Sequence, residues 1–365
     1  MDKGTAVQQQ SIYDLSLAEL TETLAGWGQP AYRARQVWEW LYQHKVRDFE
    51  AMSNLPRALR ERLQAGFVLG RLEQEAELHS TDGQTVKRLL RLPDGQLIES
   101  VLMEYDDHRR TACISTQAGC AMGCVFCATG QMGFARHLTA GEIVEQALLF
   151  ARQLESEGER LSNIVLMGMG EPLHNYDQTL EAIRRLNDEH GLNIGQRHIT
   201  LSTVGLVPAI RRFADEKLQV GLAISLHAAT DEERSKLLPV NRRWPLADLI
   251  EAVHYYIGQA GRRVTFEWAL IAGENDTPEQ AHKLGHLLRG LKCHVNLIPL
   301  NPTSGYAGRP SDPVRVKAFQ DILESYRVSS TVRVRRGIDI QAGCGQLKAE
   351  VQSQGKKVRT AEDHD

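Results

Sequence analysis

The stretch CAMGCVFC, residues 120–127, holds three cysteines in eight positions, Cys120, Cys124 and Cys127, spaced CxxxCxxC. Structural zinc takes four ligands, usually as two separated pairs. No fourth cysteine lies nearby, and His137, ten residues beyond Cys127, is better explained by its own loop. Iron–sulfur clusters also normally take four thiolates. A cluster held by three leaves one iron open, and an open iron can bind a small molecule directly. The stretch follows an apolar run, RTACIST, and precedes TAGE, a capping-box pattern with Thr139 as N-cap and Glu142 reaching back. A loop delivered between a strand and a helix is what a parallel α/β fold places at its working end.

Further along, RTACIST, NIVLMGMG, RHITLST, QVGLAISLH, RVTFEWALI, CHVNLIPLN and TVRVRRG read as strands. Helical patterns over 140–154, 176–190, 207–215, 246–260, 277–291 and 312–327 separate them. Near-continuous apolar strands alternating with amphipathic helices predict a parallel sheet with helices outside. There are too few units for an eightfold barrel, so the fold class is α/β, a partial (β/α)6 TIM-like barrel. The C-terminal strand ends carry Gly170 and Glu171, Ser202, Ser225-Leu226-His227 and Asn301, polar groups where a ligand needs them. Glu171, directly after a glycine, is placed to accept from an ammonium group.

Upstream, TVKRLLRL and QLIESVLM flank PDG, a hairpin signal. Glu99 lies in the second of these strands. Strand side chains alternate, so it points either to solvent or inward, and inward it is a candidate base. Residues 13–67 read as three short helices, with Val37, Trp38 and Leu41 on one apolar face and Pro56 opening the third. Arg33, Arg35, Lys45 and Arg47, then Arg57, Arg60 and Arg62, make this module locally basic. It is an RNA-docking arm or plain packing mass. The division expected is 1–75 helical accessory domain, 76–108 hairpin linker carrying Glu99, 109–350 partial barrel, and 351–365 a polar, disordered tail.

The chain has 365 residues, 42% hydrophobic and 24% charged, with 43 Lys and Arg against 46 Asp and Glu for a net charge of −3. That balance excludes a globally basic nucleic-acid coat but not local phosphate-binding patches. No run nears the roughly 18 apolar residues of a membrane span, and the N-terminus lacks a secretory signal. Six cysteines without an export signal point to a reducing, cytoplasmic setting. Cys293 reads as a buried small hydrophobe.

CxxxCxxC with Phe126 before the last cysteine, together with MGMGEP at 167–172, resembles the radical S-adenosylmethionine (SAM) superfamily. The longer matches TACISTQAGCAMGCVFCATGQMGF, LSTVGLVPAI, ISLHAATDEERSKLLPVN, NLIPLNP and RGIDIQAGCGQL are similar to the RlmN/Cfr family of RNA adenosine methyltransferases, over roughly residues 15–350. The resemblance implies a [4Fe-4S] cluster on Cys120, Cys124 and Cys127, with SAM on the open iron. It implies a SAM pocket from Gly170, Glu171, Ser202, Ser225, Leu226, His227 and Asn301. It further implies that Cys344 carries a methyl group from one SAM, and that a radical from a second SAM activates that group for addition to adenine. Glu99 would then remove the ring proton, and Cys113 would attack Cys344, releasing RNA through a transient disulfide. The expected partners are 23S rRNA, tRNA and a flavodoxin- or ferredoxin-type electron donor, with no membrane. Ile338, Gln341 and Gly343 depart from the family pattern, while Asp339 and Cys344 keep it.

RlmN-type methylation at carbon-2 is the reading the full helical arm favours. A Cfr-type enzyme acting at carbon-8 shares the same motifs. A non-catalytic iron–sulfur RNA-binding protein is the reading of a different class; it predicts no SAM cleavage and indifference to loss of Cys344.

Overall fold

The computed structural model describes residues 9–347. The expected tail, 351–365, lies outside these residues. The N-terminal module opens with β1 (Gln10–Ser11) and a 3-10 turn, then α1 (Leu17–Gly26), α2 (Tyr32–Tyr42), α3 (Arg57–Gly66) and β2 (Phe67–Val68), which pairs in parallel with β1. Ser16 and Glu19 cap α1 reciprocally. Val37, Trp38 and Leu41 are buried on α2. The module does not stand apart. Its Tyr13, fully buried, accepts from Arg152 at the hydroxyl (2.8 Å) and from Arg185 at the carbonyl (2.5 Å).

Next come β3 (Glu73–His79), β4 (Thr85–Arg91), β5 (Leu97–Glu104), β6 (Arg110–Cys113), β7 (Gln117–Gly119), α4 (Ala128–Met132), β8 (Phe134–His137) and α5 (Ala140–Ser156). The remainder alternates: β9 (Asn163–Leu166), α6 (Tyr176–Asn187), β10 (Ile199–Thr203), α7 (Val207–Asp215), β11 (Gly221–Ser225), α8 (Asp231–Leu237), α9 (Leu246–Ala260), β12 (Val264–Leu270), α10 (Pro278–Leu288), β13 (Cys293–Pro299), α11 (Pro313–Ser325) and β14 (Ser330–Val332). One ten-stranded sheet runs β14-β13-β12-β11-β10-β9-β6-β5-β4-β3. From β6 to β14 neighbours are parallel, which gives six strand–helix units and a short closing strand. The sheet stays open, as the partial barrel predicted, with β14 and β3 at its two edges.

The PDG hairpin forms, and its strands join the barrel sheet: β5 pairs antiparallel with β6, Val101 opposite Cys113. Five consecutive residues of β5, Ile98 to Leu102, are buried, so both faces of the strand are covered there and the Glu99 carboxylate is enclosed. It meets Lys87 Nζ at 3.0 Å, both side chains almost fully enclosed. Cys293, expected to be buried, is half-buried. It is the first residue of β13, at the rim, where the sheet's cover ends.

Candidate active site

The cysteine stretch forms a tight loop between the β7–β8 ribbon and α4. Cys120 N–H donates to Gly133 O (2.7 Å), and Cys127 N-caps α4. Gly119 sits at φ +72°, and a Cβ there would lie 2.0 Å from Gly133 O, so only glycine lets the ribbon close this way. The capping box expected at Thr139 and Glu142 is present at the start of α5.

The three cysteines line one cavity together with Gly170, Glu171, Ser202, Ser225, His227, Asn301 and Cys344. Six of the seven strand-end residues expected at a ligand site therefore converge. The seventh, Leu226, is fully buried behind the wall, where its carbonyl accepts from Arg234. Burial pushes the Cys120 thiol up to about 12, and Cys127 also upward. Cys124 is raised by burial and then by the neighbouring Cys127 and Cys120 sulfurs. Thiols grouped at this cost become thiolates when a metal arrives. Among the described residues no three His, Cys, Asp or Glu are grouped as ligands of a single ion. Three sulfurs spread around one cavity suit a larger, polynuclear group.

Other walls suit a small zwitterion. Glu171 is lifted to about 7 by burial, against hydrogen bonds from Val204 N–H (2.9 Å), Thr203 and Leu173 N–H (3.1 Å). Its donors are all neutral, so an ammonium would find a carboxylate ready to ionise. Gly170, at φ +103°, brings that carboxylate in: a Cβ there would strike Gln117 at 2.6 Å, and the Gln117 carboxamide oxygen accepts from Glu171 N–H at 2.8 Å. His227 Nδ1 accepts from Ala269 N–H (2.9 Å). Burial, then the Arg234 charge, lowers it to about 3, so it stays neutral with its proton on Nε2. Asn301 Oδ1 is buried without a hydrogen-bond partner, Glu267 Oε2 has none nearer than the Arg333 guanidinium at 3.8 Å, and both residues face the cavity. Orphaned acceptors at a wall fit hydroxyl or amine donors on a bound molecule.

Glu267 is a residue the sequence reading missed. Burial raises its carboxyl; Asn296 donates to it at 2.9 Å and Arg333 stands at 3.8 Å. Its only signal was an acid inside VTFEWAL, beside Ser225 in register. Arg333 was missed for the same reason: nothing in TVRVRRG separates it from its solvated neighbours.

Cys344 occupies the wall shared with a second cavity, lined by Cys113, Tyr105, Arg109, Arg333, Arg335 and Arg336 among others, with no carboxylate among its described lining residues. Arg109 and Arg336 each hold a guanidinium 4.4 Å from the Tyr105 ring. Cys344 is solvent-accessible yet walled by protein. The walls push its thiol up, while the Arg333 guanidinium draws it down. Burial, with a smaller contribution from Cys344, pushes Cys113 up to about 12. The Cys344 loop is tied to the cluster loop by Ala128 N–H on Gly345 O (2.7 Å) and Thr129 Oγ1 on Leu347 O (2.7 Å). Glu99 lines neither cavity. It reaches the neighbourhood through Lys87, whose Nζ also lies 3.4 Å from Gln341 O.

Comparison with known proteins agrees with this geometry. The Radical SAM superfamily model matches residues 114–284, and the ribosomal RNA large subunit methyltransferase N-terminal domain matches residues 10–69. A dual-specificity RNA methyltransferase RlmN 1 of Myxococcus xanthus is 56% identical, covering 95% of this chain and 96% of its own. The chain belongs to the RlmN family of radical SAM RNA methyltransferases. A probable RlmN of Chloroflexus aurantiacus is 51% identical, covering 94% of this chain and 93% of its own. The crystal structure of a radical SAM methyltransferase from Sphaerobacter thermophilus superposes with a TM-score of 0.90 at 52% identity, covering 93% of this chain and all of the other. The RlmN fold is thus present from the helical module through the partial barrel. No helix among the described residues is long and apolar enough to cross a membrane.

Proposed function

We propose that the chain methylates carbon-2 of adenosine in 23S rRNA and in tRNA, and that Cys344 carries the methyl group. The observation that supports this is the position of Cys344 on the wall common to a cysteine-bordered cavity and an arginine-lined one. The first suits a [4Fe-4S] cluster held by Cys120, Cys124 and Cys127 with SAM beside it; the second suits a nucleotide. When bound, cluster and SAM supply the methyl group and the adenosyl radical.

The chain's own residues do the rest. Glu171, ionised, takes the SAM ammonium, while neutral His227, Asn301, Ser202, Ser225 and the backbone at Gly170 and Leu226 fix its remaining polar groups. Arg333 favours the Cys344 thiolate, the form that accepts a methyl group. The Tyr105 ring and its two flanking guanidiniums suit a nucleobase and its phosphates. Glu99 takes the adenine proton, and its partner Lys87 links it to the Gln341 carbonyl, next to Ala342 and Gly343 on the second cavity. Cys113, on the same cavity, attacks the Cys344 sulfur: the S–S bond forms as the bond from that sulfur to the transferred carbon breaks, and the electron pair left on that carbon takes a proton to complete the methyl group. The "dual-specificity" in the names of the relatives supports tRNA as a second substrate.

Residues 1–75 form the RNA-docking domain, 76–108 the hairpin that presents Glu99, and 109–350 the catalytic barrel. A flavodoxin- or ferredoxin-type protein supplies electrons in the cytoplasm. Anaerobic reconstitution with iron and sulfide, then turnover on rRNA and tRNA fragments with nucleoside mass spectrometry, tests the reading. It predicts 2-methyladenosine in both; 8-methyladenosine in its place would overturn the carbon-2 assignment.

A further inference from the structure

Arg234, in α8, is completely buried and lines neither cavity. Its guanidinium donates to Val204 O (2.7 Å), Ser225 O (3.1 Å), Leu226 O (3.2 Å) and Asn241 Oδ1 (2.9 Å). The first acceptor lies just past the end of β10 and the second ends β11, so one side chain clamps the strand ends that carry the pocket. Every acceptor is neutral. Asp231, the nearest acid in its own helix, is turned to Asn241 Nδ2 (3.0 Å) and Leu246 N–H (2.8 Å). Burial lowers Arg234 to about 10, which leaves it charged at neutral pH.

A buried cation held only by neutral dipoles is costly unless an anion lies close by. The anion is identified by where α8 ends. Leu237 O accepts from Val125 N–H (3.1 Å), Leu237 and Leu238 pack against Cys124 in a small apolar core, and Pro239 faces Gly123. Arg234 lies one turn before these residues, its own carbonyl accepting from Leu238 N–H (2.7 Å), so α8 brings its buried charge to the side of the cluster loop where Cys124 packs.

We propose that Arg234 is a positioning residue whose buried charge, hydrogen-bonded only to neutral acceptors, sits on the Cys124 side of the cluster and raises its reduction potential. One-electron reduction adds negative charge to the cluster, and a fixed positive charge in a dry environment favours the reduced state. The inference rests on the cluster assignment made above.

The test is a mediated dithionite titration, followed by electron paramagnetic resonance, of wild-type, Arg234→Lys and Arg234→Met proteins reconstituted with iron and sulfide. Iron and sulfide content is measured in parallel. Lysine keeps the charge and loses most of the clamp; methionine loses both. The lysine variant keeps the wild-type midpoint. The methionine variant reduces at a more negative potential, by at least a tenfold change in the reduction equilibrium, about 59 mV for one electron. Equal midpoints in all three overturn the proposal, as does a lysine variant shifted as far as methionine, which would make the clamp the cause. Should the methionine variant not fold, Arg234→Gln, which keeps donors for the strand-end carbonyls, carries the same comparison. Wild-type protein that takes up no iron and sulfide overturns the cluster assignment and this inference together; a loaded wild type with unmoved midpoints overturns only the inference.

Discussion

Glu99→Gln tests whether the buried pair with Lys87 is structural, catalytic or both. The two side chains lie 3.0 Å apart at 4% and 5% exposure, on the neighbouring strands β5 and β4 near one edge of the sheet. The substitution keeps shape but leaves the ammonium facing a neutral amide, and breaking a buried pair from one side typically costs about 3–5 kcal/mol. Unfolding entropy near 2.1 cal/mol/K per residue, over 365 residues, is about 0.8 kcal/mol/K, so Tm falls by about 4–6 °C. Lys87→Met combined with Glu99→Gln removes the stranded charge, and its Tm returns most of the way. Differential scanning fluorimetry of the apo-protein reads all four forms of the cycle. The functional arm uses loaded enzyme with an rRNA fragment. Without its base, Glu99→Gln accumulates a covalent protein–RNA species on denaturing gels, and so does the double variant. A single variant melting within about 1 °C of wild type, or a double variant less stable than either single, refutes the energetic reasoning. A destabilised single variant that still releases methylated RNA refutes the catalytic role alone.

Cys344→Ala abolishes methyl transfer to RNA, whereas Cys113→Ala still forms the protein–RNA adduct but does not release it; autoradiography with methyl-labelled SAM separates the two. Glu171 has its carboxyl lifted by burial to about 7, and only the ionised form pairs with the SAM ammonium. Below pH 7 binding must displace a proton, so SAM affinity falls about tenfold per pH unit and levels off above it; isothermal titration on reconstituted protein from pH 5.5 to 8.5 gives a flat profile if Glu171 is not the partner. Arg109→Ala, at the rim of the second cavity, weakens RNA binding and reduces the slope of log affinity against log salt by about one. An unchanged slope in filter binding would remove this cavity from the RNA path.

Much of the site was readable because its chemistry is local. Three cysteines in one turn-rich loop, a capping box straight after it, and polar residues at strand ends all follow from spacings of a few residues. Alternating apolar strands and amphipathic helices carry the parallel sheet with them. Side-chain direction in a doubly covered strand is not local. LIESVLM alternates equally well with Glu99 inside or outside, and only packing from elsewhere in the chain, which buries Ile98 to Leu102 on both faces, leaves it no solvent face. Cys113 and Cys344 are far apart in the chain; they share a cavity because β6 lies inside the sheet while the loop beyond β14 folds back onto α4. Glu267 and Arg234 were invisible for the opposite reason. One sits in an apolar strand and the other in the charged helix DEERSKL, where composition points to solvent. Their burial is set by neighbours scattered from Val125 to Arg333. The sequence by itself determined which chemistry the chain can carry; the tertiary structure decided which charges are buried beside it, because burial belongs to the packed assembly of elements and not to any one segment.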